Sequence, residues 1–122
     1  MLKQILLVAL GGGAGSVLRY LSTELTHKYY SMSFPLATFI VNMVGCFCIG
    51  MLVNLIPAQS TSLRYLLIIG FCGGFTTFST FARETLDLMQ ADQLLHAFLY
   101  TIASCVIGIS FVWLGLLLTM KS

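Results

Sequence analysis

Gly73-Gly74-Phe75-Thr76-Thr77-Phe78-Ser79-Thr80-Phe81 lies inside a long apolar run, where a membrane-spanning helix is expected. Two glycines, four hydroxyl residues and three phenylalanines in nine positions make a poor uniform helix. Glycine loosens the backbone, and Ser and Thr offer it partners other than the helical ladder. Irregular backbone at membrane depth is tolerated only where it is buried in protein or lines a polar cavity. The segment is therefore expected to build a site, and a site at that depth usually serves an ion or a small solute.

The rest of the chain supports a membrane reading. It has 122 residues, 58% hydrophobic and 8% charged. A soluble domain carries about 25% charged residues. A helical span takes about 20 residues, so the chain has room for four or five spans joined by tight loops. No nucleotide-binding domain fits, and a net charge of +2 gives no argument for nucleic acid. Lys3 followed by Ile5 to Leu10 has the look of a signal peptide, but the apolar core is short and glycine-interrupted, with no clear cleavage motif. The expected class is all-α, with one four-helix transmembrane domain over residues 1–122.

The first span is expected from Gln4 to Leu21, with Gly11 and Gly15 on a small-residue face suited to close helix approach. Arg19 falls near its end, placed to snorkel or to face an aqueous vestibule. Glu24 to Ser33 reads as a polar loop. The second span runs from Pro35 to Ile56, with Thr38 and Asn42 on one face and Gly45 and Cys46 a turn on. The third starts near Leu63, breaks between Gly73 and Thr77, and resumes through Phe78, Phe81, Glu84 and Leu88. The fourth runs from Leu94 to Leu118, with Tyr100, Ser104 and Gly108 at i, i+4, i+8.

Four spans place both termini on one side. That side holds Lys3, Arg64 and Lys121; the other holds Arg19, Lys28 and Arg83. Three against three gives no preferred orientation. A protein that inserts both ways round would show this balance, and so would one with too few charges to count.

Each polar or aromatic candidate has a plain structural role beside a functional one. Asn42 can hydrogen-bond a neighbouring helix, or donate N–H to a passing anion. Phe78 and Phe81 share a helix face; they can pack, or turn the positive edges of their rings toward an anion. Thr76, Thr77, Ser79 and Thr80 can bond back to carbonyls, or line a polar track leading toward Glu84. Gly73-Gly74 can serve close packing, or a break whose bare carbonyls hold a cation. Glu84 reads as a solvated carboxylate near the water interface. Cys46, Cys48, Cys72 and Cys105 read as small buried hydrophobes, and His27 and His96 lack ligand-spaced partners. No nucleophile–base pair or phosphate loop appears, so an enzyme is not expected.

Taken together the motifs resemble the small fluoride channels of the Fluc/CrcB family. The matching pieces are Gly11-Gly12-Gly13-Ala14-Gly15 running to Arg19-Tyr20, Thr38-x-x-Val41-Asn42-x-x-Gly45-Cys46, and Gly70 through Phe81 with Glu84. Pro35-Leu36-Ala37-Thr38 departs from the more usual Pro-x-Gly-Thr. The resemblance implies an antiparallel, dual-topology homodimer in the bacterial inner membrane. Its two pores would export fluoride passively and relieve fluoride toxicity. It implies that Asn42 donates to fluoride and that Phe78 and Phe81 supply ring edges. Ser79, Thr80 and, by position, Tyr100 would belong to the polar track, and Arg19 to a vestibule. The Gly73 and Thr76 carbonyls of both subunits would hold a central, structural Na⁺.

Fluoride suits such a set: a small, strongly hydrated anion needs compensating donors as it sheds water, yet conduction needs weak, multi-site binding. The rival classes are a proton-coupled exporter of the small multidrug-resistance type, which needs an embedded carboxylate, and a small structural subunit. The first span has no Asp or Glu before Glu24.

Overall fold

Four helical segments are long and apolar enough to cross a membrane: Leu2–Tyr29, Leu36–Leu55, Thr61–Gln90 and Leu94–Leu118. They are arranged as α1 (Leu2–Tyr29), α2 (Leu36–Leu55), a composite third segment and α6 (Leu94–Leu118). The third segment comprises α3 (Thr61–Leu63), a π-helical stretch (Arg64–Cys72), α4 (Gly73–Phe75) and α5 (Phe78–Gln90). This computed structural model describes residues 1–120; Lys121, counted above among the basic residues, lies outside them. The described chain has no strands.

The chain is a multi-pass integral membrane protein. Its surface carries large apolar side chains on every span, among them Leu6, Leu10, Val17, Ile69, Ile102, Ile109 and Trp113. Water would not tolerate that coat, whereas lipid tails accept it.

The expected bounds of the second and fourth spans hold to within a residue. The first does not. α1 continues to Tyr29 and takes in residues 24–29, expected as loop. No proline or glycine stands between Leu21 and Tyr29, so nothing stops the helix, and Thr26 bonds back to the Ser22 carbonyl at 2.8 Å. At about 1.5 Å per residue the 28-residue helix is about 42 Å long, more than a bilayer core. Arg19 is therefore well inside α1 rather than near its end.

The break in the third segment is also narrower than expected. Gly73 is helical, with φ −63° and ψ −36°, and no glycine in the described chain has positive φ. Only Thr76 (φ −85°, ψ 162°) and Thr77 (φ −149°, ψ 122°) are extended. Both threonine hydroxyls engage the backbone at the break: that of Thr76 adds a second bond to the carbonyl its own N–H already holds, and that of Thr77 takes an N–H of the next turn. Thr76 Oγ1 donates to the Cys72 carbonyl at 2.9 Å, and Thr77 Oγ1 accepts from the Thr80 N–H at 3.2 Å, capping α5.

The glycines serve packing instead. A Cβ on Gly74 would lie against the Gly12 carbonyl and 2.9 Å from Gly12 Cα. One on Gly15 would meet the Phe71 carbonyl and lie 2.8 Å from Phe75 N. So α1 and the third segment touch backbone to backbone. α2 and α6 pair the same way through Gly50 and Gly115, and Asn54 Nδ2 ties them further by donating to the Leu116 carbonyl at 3.0 Å. The four cysteines are free thiols; Cys72 is buried as expected, Cys46 and Cys48 are half-buried, and Cys105 is exposed.

Candidate functional site

The break is held from both sides. From α2, Asn42 Nδ2 donates to the Thr77 carbonyl at 3.0 Å, and Asn42 Oδ1 accepts the Thr77 N–H at 2.8 Å. From α1, Arg19 Nε donates to the Gly74 carbonyl at 3.0 Å. The break falls about midway along Thr61–Gln90, so Arg19 places its guanidinium at that depth.

A helix end leaves its last four carbonyls without ladder partners. The Cys72 carbonyl accepts from Thr76 N and Thr76 Oγ1, and the Gly74 carbonyl from Arg19. The Gly73 carbonyl would normally receive the Thr77 N–H, and the Thr76 carbonyl the Thr80 N–H. Both donors are diverted, to Asn42 and to Thr77 Oγ1. Among the described residues the carbonyls of Gly73 and Thr76 are thus left bare, as is that of Phe75. Unpaired carbonyl oxygens in low dielectric are what a hard cation without carboxylate ligands requires.

A groove of about 600 Å³ opens beside the break, lined by Asn42, Gly73, Thr76, Phe78, Phe81 and Ser104 among others. It brings together five of the expected site residues. Phe78 is 78% exposed there, and a Cβ on Gly73 would meet nothing within 4 Å. One chain leaves the groove without an outer wall.

Behind Phe81 lies a second set. The Phe78 and Phe81 ring centroids are 5.7 Å apart, and Phe81 meets the Tyr100 ring edge-on at 4.9 Å. Tyr100 is wholly buried, and its hydroxyl donates to Glu84 Oε1 at 3.0 Å. Thr38 Oγ1 donates to Glu84 Oε2, also at 3.0 Å. Glu84 in turn lines a cavity of about 360 Å³ with His27, Ser33, Phe34, Asp87 and Gln93. Polar and aromatic groups therefore run from the groove, past Phe81, to a cavity near the α1–α2 turn.

Two site residues were missed or misread from sequence. Glu84 is not simply solvated: it is half-buried and accepts two hydrogen bonds from other helices. Thr38 on α2 and Tyr100 on α6 reach over to Glu84 and draw it out of open solvent. Ser104 lines the groove, and its buried Oγ has no hydrogen-bond partner. Its spacing of four from Tyr100 was the available signal. Ser79 and Thr80 are absent from the groove lining; Ser79 is exposed and Thr80 half-buried on α5.

Residues 6–116 match the sequence profile of the family described as CrcB-like protein, Camphor Resistance (CrcB). The chain belongs to the CrcB family. A CrcB relative from Flavobacterium psychrophilum is 46% identical, across 98% of this chain and 99% of its own length. One from Phocaeicola vulgatus is 45% identical, across 94% and 97%. Both carry the name fluoride-specific ion channel FluC. A third, from Rhodococcus jostii, is 44% identical and named fluoride-specific ion channel FluC 2. The CrcB match spans α1, the break and most of α6, so every site residue described here falls inside it.

Proposed function

We propose that this CrcB chain is a fluoride channel rather than an enzyme, letting F⁻ leave a bacterial cell passively across its membrane and so relieving fluoride toxicity. The observation that carries the reading is the run Asn42–Phe78–Phe81–Tyr100 across a broken membrane helix. The names of the relatives supply the ion. Asn42 Nδ2 has two hydrogens, and the described bonds use one, leaving one for an anion. Ring edges of Phe78 and Phe81 and the hydroxyls of Ser79, Thr80 and Ser104 add weak donors or positive potential without a full charge in the path.

The assembly we infer is an antiparallel homodimer of chains inserted in both orientations, with two pores. Supporting it are the open outer side of the groove and the exposure of Phe78. A Na⁺ at its centre suits the bare Gly73 and Thr76 carbonyls, one pair from each copy. When bound, such an ion offsets their partial negative charge. Arg19 occupies the Gly74 carbonyl from the α1 side of the break and does not line the groove.

A proton-coupled exporter needs an embedded carboxylate, and Glu84 is one. Both of its oxygens already accept hydrogen bonds, which makes it a poor vacant site for a cationic substrate. Purified protein in fluoride-loaded liposomes separates the readings. Fluoride efflux should proceed down its own gradient with a protonophore present, and chloride should not follow. Asn42→Ala should slow fluoride efflux by about 10- to 150-fold, the loss of one hydrogen bond to a charged partner. Efflux that needs an imposed proton gradient would assign a carrier instead.

A further inference from the structure

One side chain holds both backbone atoms of Thr77. Its carbonyl accepts from Asn42 Nδ2, and its N–H donates to Asn42 Oδ1. In an uninterrupted helix that N–H would close on the carbonyl four residues back, which is Gly73's. The two uses of the N–H compete: while Asn42 holds it, the Gly73 carbonyl stays bare.

We propose that Asn42 is a positioning residue for the central cation, its Oδ1 keeping the Gly73 carbonyl open to the ion by capturing the Thr77 N–H. This rests on the reading that the Gly73 and Thr76 carbonyls hold Na⁺. It is separate from donation to fluoride, which draws on the second Nδ2 hydrogen. The neighbouring bonds point the same way. Thr77 Oγ1 takes the Thr80 N–H and so spares the Thr76 carbonyl, while Arg19 fills the Gly74 carbonyl between them. Asn42 thus serves the anion path with one end and the cation site with the other.

Two substitutions at Asn42 pull these roles apart. Asn42→Asp keeps an acceptor oxygen for the Thr77 N–H in either protonation state but has no second hydrogen for an anion. Asn42→Leu keeps bulk and loses both. The readout is thermal melting of the detergent-solubilised protein as Na⁺ replaces N-methylglucamine at constant ionic strength, since an ion that binds only the assembled state raises its melting temperature. Fluoride efflux is measured alongside.

The Na⁺ midpoint of the Leu variant should rise by about tenfold or more, as expected for a lost hydrogen bond in the cage. The Asp variant should keep the wild-type midpoint while losing efflux. If the Leu midpoint is unchanged, or if Asp shifts as far as Leu, Oδ1 is not what frees the carbonyl and the proposal fails. Should the Leu variant not assemble, the Asp variant decides: an unchanged midpoint without efflux supports the proposal, a shifted one overturns it. A wild-type protein whose melting ignores Na⁺ removes the cation reading itself, and the proposal with it.

Discussion

Gly15→Val is expected to leave little or no folded protein. The new Cβ would meet the Phe71 carbonyl and lie 2.8 Å from Phe75 N and 3.2 Å from Gly74 C. All three are backbone atoms, and none can swing aside as a flexible side chain does. α1 and the third segment would have to part along their closest contact. Overpacking a core usually costs about 1–3 kcal/mol, and the absence of any side chain to repack puts this case at or above the top of that range. Against a typical total of about 5–15 kcal/mol, that is enough to empty much of the native state. The bond from Arg19 to Gly74 lies one turn along and would be strained as well. Gly13→Ala is the comparison: a Cβ there meets nothing within 4 Å in the chain. It should be neutral or gain up to about 1 kcal/mol from helix propensity. Size-exclusion profiles and melting of the two purified proteins make the check. Equal recovery of both would mean that the helix contact is slack; loss of both would put the Gly13 face against a second copy.

Phe78→Ile and Phe81→Ile are expected to lower fluoride efflux by about tenfold or more, the scale of a lost charge-assisted contact. Isoleucine keeps bulk and apolarity but lacks the positive ring edge. The two sites differ in what else they touch. Phe78 is 78% exposed within its chain, so its replacement has little core to disturb. Its melting temperature should stay close to wild type while flux falls. Phe81 leans on Tyr100 at 4.9 Å, and losing that aromatic pair should also cost about 0.5–1.5 kcal/mol of stability. Liposome efflux and melting on the same preparations separate the two effects. Wild-type efflux from both variants would leave the rings as packing and take them out of the ion's path.

Much of the fold was legible because membrane spans announce themselves by length and apolarity. Pro35 and Pro57 bracket α2, and Gln93 and Thr119 flank α6, so those bounds were close. The end of α1 is harder to read: the polarity of Glu24 to Ser33 suggests a loop, yet no proline or glycine stands before Tyr29 to stop the helix. The break was legible in kind but not in place. Glycines and threonines stand together, and only packing tells them apart: Gly74 faces the α1 backbone, whereas Thr76 and Thr77 turn extended and the Thr77 hydroxyl caps the next helix. The π-helical stretch Arg64–Cys72 left no trace in the sequence that composition reads. Asn42 was recognised as a donor, but its grip on Thr77 depends on which turn of the third segment faces α2. Glu84 was misplaced for the same reason: its partners Thr38 and Tyr100 come from two other helices.

The bond between Arg19 and Gly74 spans 55 positions of chain, and this bears on biogenesis. During synthesis α1 reaches the bilayer long before residue 74 exists. Until then its guanidinium has no carbonyl to meet, and an arginine near the centre of an inserting helix costs about 2.5–3.5 kcal/mol. The early α1 is therefore held shallow, or slides so that Arg19 reaches a headgroup. Its final depth is set only when the third segment arrives and Gly15 seats against Phe71. α1, although made before the third segment, finds its register only after that segment has arrived.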